Sequence, residues 1–98
     1  MNQTEHLLAC LAEECAEVAQ RAMKAQRFGL FEIQPDQELS NIKRLSQEVN
    51  DLLAVAEMLG LALSQTERDE KKRKVLKFMA YAESIGALDK TKETHANG

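Results

Sequence analysis

The chain has 98 residues, 13 Lys and Arg against 16 Asp and Glu, and a formal net charge of −3, which fits one small domain with a modest core and argues against a sequence-independent nucleic-acid binder. No apolar run approaches the roughly 20 residues that cross a bilayer, and Met1-Asn2-Gln3-Thr4-Glu5 lacks the basic start of a signal peptide, so neither nucleic acid nor membrane is an expected partner and a cytoplasmic location is expected. With no Trp, one Tyr and three Phe among abundant Ala, Leu, Glu, Lys and Gln, the composition is that of a helical bundle without a sheet.

The first helix can start at Asn2, whose spacing to Glu5 is that of a capping box, or at Thr4, and it should run to about Arg27 before Gly29 stops it. Leu7, Leu8, Leu11, Cys15, Val18, Ala19, Ala22 and Met23 cover more than a third of its circumference, wider than one neighbouring helix buries. Contact with a second subunit is the expected use, giving an antiparallel all-α bundle completed by oligomerisation. Cys10 and Cys15 lie about 140° apart around this helix and cannot bridge. They read as free, buried thiols of a reducing compartment, with no evident base beside either.

Gly29 to Asp36 is a loop holding the single Pro, with Asp36 or Ser40 placed to cap the next helix. Phe28, Phe31 and Ile33 either close the end of the core or line a base pocket. The second helix is expected from about Gln37 to Ser64, with Leu45, Glu48, Asp51, Leu52, Val55 and Leu59 along one side and Gly60 inside it at a cost of about 1 kcal/mol against Ala. Thr66 with Asp69 reads as the cap of a third helix to Ser84, ended by Gly86. On it Lys71, Lys74, Phe78 and Tyr81 share an arc of about 80°: either aromatic core edged by snorkelling lysines, or a lysine for phosphate and rings for a base. The domain is expected over 1–88, with a polar tail over 89–98. Neither His6 nor His95 has a Glu three residues before it, so the di-iron signature of ferritin-like bundles is missing.

Two acidic sets stand out. Glu13, Glu14 and Glu17 fall within about 100° on the first helix, and Glu48 and Asp51 about 60° apart on the second. Both border apolar stripes: Leu7, Leu11, Val18 and Ala25 share the side of Glu14, and Leu45, Leu52, Val55 and Leu59 flank Glu48. Runs of Glu are usually solvated faces, and Glu17 can pair with Arg21 four residues on. Carboxylates beside a core are costly unless paired or bound to a cation, however, and basic partners here are too few for five acids. A hard divalent cation such as Mg²⁺, held by oxygen ligands and bridging to phosphates, answers that charge.

The pattern E-E-x-x-E at Glu13 to Glu17 followed by E-x-x-D at Glu48 to Asp51 resembles the all-α nucleoside triphosphate pyrophosphohydrolases of the MazG-like group. The resemblance extends from about Leu7 to Leu88 and includes Lys24-Ala25-Gln26-Arg27-Phe28-Gly29. It implies hydrolysis of a nucleoside triphosphate to the monophosphate and pyrophosphate by a homodimer or homotetramer, in the upkeep of the nucleotide pool, with the preferred base open. Glu14, Glu17, Glu48 and Asp51 are then the Mg²⁺ ligands, with Mn²⁺ as a substitute. Glu13 orients water, holds a further ion or is solvated. Lys24, Arg27, Phe28, Lys74, Phe78 and Tyr81 are the substrate-binding candidates. The rival readings are a non-catalytic helical dimerisation or regulatory module and a nucleotide sensor that binds without turnover.

Overall fold

A computed structural model describes residues 1–90; within them the chain forms three α-helices, α1 (Gln3–Phe28), α2 (Asn41–Met58) and α3 (Gln65–Ser84), and no strand. The chain divides into two compact units, Met1–Ala62 and Leu63–Gly98. Most of the expected tail, His95 included, lies outside the described residues. Among those described, no helix is long and apolar enough to cross a membrane.

In the first unit α1 opens with the expected capping box: the Glu5 backbone N–H donates to Asn2 Oδ1 at 2.8 Å and the Asn2 backbone N–H donates to Glu5 Oε1 at 3.1 Å. Two of the orphan donors of the first turn are thus satisfied locally. The helix ends at Gly29, whose φ of +104° few residues but glycine adopt.

α2 begins later than its sequence suggests. Asp36, one of the two expected caps, sits at φ +65° in a turn closed by the Gln37 N–H to the Gln34 carbonyl. Ser40 is the residue that precedes the helix, and its side chain makes no capping bond. The first two N–H groups of α2 are instead taken by the loop, Asn41 donating to the Glu32 carbonyl at 2.9 Å and Ile42 to the Leu30 carbonyl at 2.8 Å. The Asn41 side chain, 2% exposed, donates to the Gly29 carbonyl at 2.8 Å and to Glu32 Oε1 at 3.0 Å. One buried amide therefore ties the end of α1 and the loop to the start of α2. Truncating it removes both bonds and leaves the part-buried Gly29 carbonyl without this donor, so Asn41→Ala is expected to lower unfolding stability by about 1–2 kcal/mol, read from urea denaturation, without changing helix content.

Gly60, expected inside the helix, terminates it. At φ +75° it donates to the Glu57 carbonyl while Leu61 donates to that of Ala56, the paired bonds of a Schellman turn. α2 consequently stops at Met58 rather than Ser64.

α1 and α2 run antiparallel: Asn41 binds Gly29 at one end, and Met58 shares a pocket with Met1, His6 and Leu7 at the other. Their half-buried and buried positions alternate at three- and four-residue spacing, Leu7, Leu11, Glu14, Val18, Arg21 and Ala25 on α1 against Asn41, Leu45, Glu48, Leu52, Val55 and Leu59 on α2. This is the seam of two helices packed along their length. Because the helices are right-handed and opposed, the residue after each seam position falls on one face of the pair and the residue before it on the other. One face carries exposed Leu8, Cys15, Ala19, Val49 and Leu53; the opposite face carries exposed Glu13, Glu17 and Asp51.

In the second unit α3 is capped by Ser64, whose side chain accepts from the Glu67 N–H at 3.2 Å; the expected cap, Thr66, lies inside the first turn. The surface is stitched locally, Gln65 Nε2 donating to Asp69 and Arg68 to Gln65, with Lys72 Nζ 3.7 Å from Asp69. Gly86, at φ +77°, closes α3 with a second Schellman turn: it donates to the Glu83 carbonyl and Ala87 donates to that of Ala82. None of the residues of α3 is buried.

Candidate metal centre

Glu14 and Glu48 occupy seam positions that leucines hold one and two turns away, so packing fixes where their carboxyls go. Leu11 and Val18 bracket Glu14 on α1, and Leu45 and Leu52 bracket Glu48 on α2. Asp51 stands three residues after Glu48, on the acidic face beside the seam. One oxygen from each of Glu14, Glu48 and Asp51 lies within 4.8 Å of the others. Glu14 and Glu48 are half-buried and Asp51 is exposed, so the cluster opens to solvent on one side.

The electrostatics follow from that placement. Partial burial, then the charges of Asp51, Glu48, Glu17 and Glu13 in that order, push the Glu14 carboxyl above its ordinary value of 4.5. Three oxygens at this separation, without an ion pair to any of them among the described residues, could together hold a metal ion. The chemistry such a set offers is charge compensation: a divalent ion removes the mutual repulsion and leaves coordination positions for water and phosphate oxygens.

Of the five acids expected in the site, the structure gathers Glu14, Glu48 and Asp51. Glu17 and Glu13 stand on the same face, exposed and outside the three-oxygen group, where they act on Glu14 through their charge. Which acids meet depends on the register of α1 against α2, and spacing along each helix does not specify it.

The expected substrate contacts spread further. Lys24 is half-buried ten residues beyond Glu14, roughly 15 Å along the helix axis. Arg27 is stacked over the Phe28 ring, 5.7 Å from its centroid, a cation–π contact that leaves Phe28 48% exposed. Phe31 and Ile33 are exposed as well, so these loop residues do not close a core within the first unit. Lys74, Phe78 and Tyr81 belong to α3 in the second unit, all exposed. The thiols depart from expectation: Cys15 is exposed, Cys10 is half-buried, and Cys10 Sγ lies 3.6 Å from His6 Nε2.

Two residues escaped the sequence reading. Asn41 was not singled out, since nothing in its sequence neighbourhood marks it as the buried tie between the loop and α2. Arg21 was read as the partner of Glu17, yet no carboxylate lies within 4.0 Å of it among the described residues. Its Nη1 is closed off from solvent and makes no hydrogen bond. Comparison with protein-family models, with curated proteins and with solved structures finds no match to this chain.

Proposed function

We propose that the chain is a Mg²⁺-dependent nucleoside triphosphate pyrophosphohydrolase, releasing pyrophosphate from a nucleoside or deoxynucleoside triphosphate and serving the upkeep of the nucleotide pool in the cytoplasm. The observation that carries this reading is the convergence of Glu14, Glu48 and Asp51 from two helices into one half-open cluster. All donors are carboxylate oxygens, which suits Mg²⁺ and, as a substitute, Mn²⁺, and disfavours softer ions. Glu17, on the same face one turn from Glu14, is the fourth ligand in this reading, and Glu13 adds charge or orients water. Bound Mg²⁺ supplies the charge that neutralises phosphate oxygens as negative charge shifts during hydrolysis, and lowers the pKa of the attacking water.

The protein's own residues set the geometry. Half-buried Leu11, Val18, Leu45 and Leu52 bracket Glu14 and Glu48 in the seam, while exposed Asp51 and Glu17 border the open side, the proposed entry for substrate. Within the first unit, Lys24 and Arg27 are the cations proposed for the phosphates and Phe28 the ring proposed for the base. The apolar face opposite the acids supports a homodimer or homotetramer in which that face is covered by a second copy.

A panel of nucleoside triphosphates assayed for pyrophosphate release with and without Mg²⁺ tests the function. Mg²⁺-dependent release is the expected result. Mg²⁺-dependent binding without release would make the protein a nucleotide sensor, and no specific divalent-ion binding would make it a helical interaction module. Within the cluster, Asp51→Asn is expected to reduce turnover at least 100-fold, since even outer-shell partners of a metal typically cost 10- to 100-fold. Glu17→Gln should do the same if Glu17 completes the ligand set; near-normal turnover in that variant would confine the ligands to Glu14, Glu48 and Asp51.

A further inference from the structure

Nearer its N-terminus, α1 brings an imidazole and a thiol together. His6 and Cys10 are four residues apart, so their side chains lie one above the other on the helix, and Cys10 Sγ stands 3.6 Å from His6 Nε2. His6 precedes Leu7 and Cys10 precedes Leu11 in the seam, which puts both on the face that carries Glu13, Glu17 and Asp51. Met58 precedes Leu59 on α2 and falls on that same face, where it lines one cleft with His6, Leu7 and Met1. His6 is exposed and Cys10 half-buried, so an ion in solution can reach both.

The two donors are spaced as a chelate. An ion bound by nitrogen at about 2.0–2.1 Å and by sulfur at about 2.3 Å, with a near-tetrahedral angle between them, holds its donors about 3.6 Å apart. The sulfur meets the ring at a nitrogen that ligates metals when the imidazole is neutral, and no carboxylate pairs with this imidazole among the described residues. A thiol and an imidazole, with a thioether lining the adjoining cleft, form a soft donor set; the acidic cluster, all oxygen, suits a hard ion. We propose that His6 Nε2, Cys10 Sγ and the Met58 thioether form a binding site for Cu(I), separate from the acidic cluster. On binding, the thiol proton passes to solvent and the metal takes its place, so thiolate and ion cancel each other's charge. Glu13 and Glu14, three and four residues after Cys10, favour the approach of a cation. The site stands whether or not the acidic cluster hydrolyses a triphosphate.

The test is anaerobic titration of the full, reduced chain with Cu(I) against a chromophoric Cu(I) chelator, in the wild type, His6→Gln, Cys10→Ser, Met58→Leu and Cys15→Ser. The wild type is expected to withdraw one equivalent of Cu(I), with a thiolate-to-copper absorption in the ultraviolet. Cys10→Ser should lose both the absorption and the binding. His6→Gln and Met58→Leu should each lose at least about tenfold in affinity, since losing a ligand costs no less than losing an outer-shell partner. Cys15→Ser should bind as the wild type does, and a large excess of Mg²⁺ should leave Cu(I) uptake unchanged. Wild-type affinity in His6→Gln would overturn the site and reduce the contact to a thiol–imidazole hydrogen bond, and wild-type affinity in Met58→Leu would overturn it as a three-donor centre. Loss of binding in Cys15→Ser would move the ion to the other thiol, and displacement by Mg²⁺ would move it among the carboxylates; either result overturns the proposal. Should Cys10→Ser fail to fold by circular dichroism, His6→Gln, altered at an exposed position, decides.

Discussion

Glu14→Gln is expected to raise the melting temperature of the metal-free protein and at the same time to lower Mg²⁺-dependent hydrolysis at least about 100-fold. The two effects have one cause. Glu14 is held in the seam, and its partial burial, then the carboxylates of Asp51, Glu48, Glu17 and Glu13, all act against its ionisation. An amide of the same shape relieves that repulsion and keeps the packing, but it cannot contribute the charge that holds a divalent cation. Saturating Mg²⁺ should invert the order of stability: at a free concentration 100 times its dissociation constant it stabilises the wild type by about 2.7 kcal/mol, and the variant by much less. A variant less stable than wild type without metal would mean that Glu14 is held by favourable contacts and not strained by its neighbours.

The pH dependence has a definite sign. The folded-state pKa of Glu14 lies above its unfolded value of 4.5, so in the window between the two the folded state binds the extra proton. Stability contributed through this group therefore falls as pH rises through that window, and the penalty is absent below 4.5. Most paired carboxylates behave in the opposite way. Denaturation midpoints of the metal-free wild type and Glu14→Gln, measured upward from pH 4.5, should diverge as pH rises, and Mg²⁺ should abolish the divergence.

What could be read from the sequence was whatever is decided within a few residues. The Asn2–Glu5 box, the stops at Gly29 and Gly86, and the placement of Glu14 and Glu48 among apolar stripes all follow from helical periodicity and capping chemistry. The start of α2 could not be read, because its first donors are satisfied by the carbonyls of Leu30 and Glu32, a loop contact that no local cap announces. Gly60 was placed inside the helix for a related reason: the apolar pattern continues through Leu59, Leu61 and Leu63, and only the positive φ at Gly60 shows that the pattern outlasts the helix. In the site, spacing put five acids on two faces, but the antiparallel register decided that Asp51, rather than Glu17, meets Glu14 and Glu48. The same register separates the acidic face from the apolar one, a division invisible in either helix alone.

That apolar face leads to the second large effect. Leu53→Glu is expected to dissociate the proposed assembly. Leu8, Val49 and Leu53 are 51%, 37% and 38% exposed on one face of the α1–α2 pair, and Cys15 and Ala19 between them let a partner helix approach closely. Within that pair the buried apolar residues are only Ala25 and Ala56, each 5% exposed, too few to hold two long helices together against the entropy of ordering them. A second copy docked face to face would convert the pair into a four-helix layer and bury the leucines of both chains. Such an interface is isologous, so a single substitution acts twice. Fully burying an exposed leucine contributes about 1.5–3 kcal/mol; with Leu53 38% exposed in the single chain, the two copies together should lose about 1–2 kcal/mol, roughly one to two orders of magnitude in the dimer dissociation constant, before the added cost of two opposed charges. Sedimentation equilibrium reads it directly. The wild type should sediment as a dimer or larger at micromolar concentration and Leu53→Glu as a monomer with reduced helicity, whereas Glu13→Gln, on the acidic face, should leave the assembly intact. A wild type that sediments as a folded monomer at that concentration would remove the second copy from the fold, and the apolar face would then need another cover.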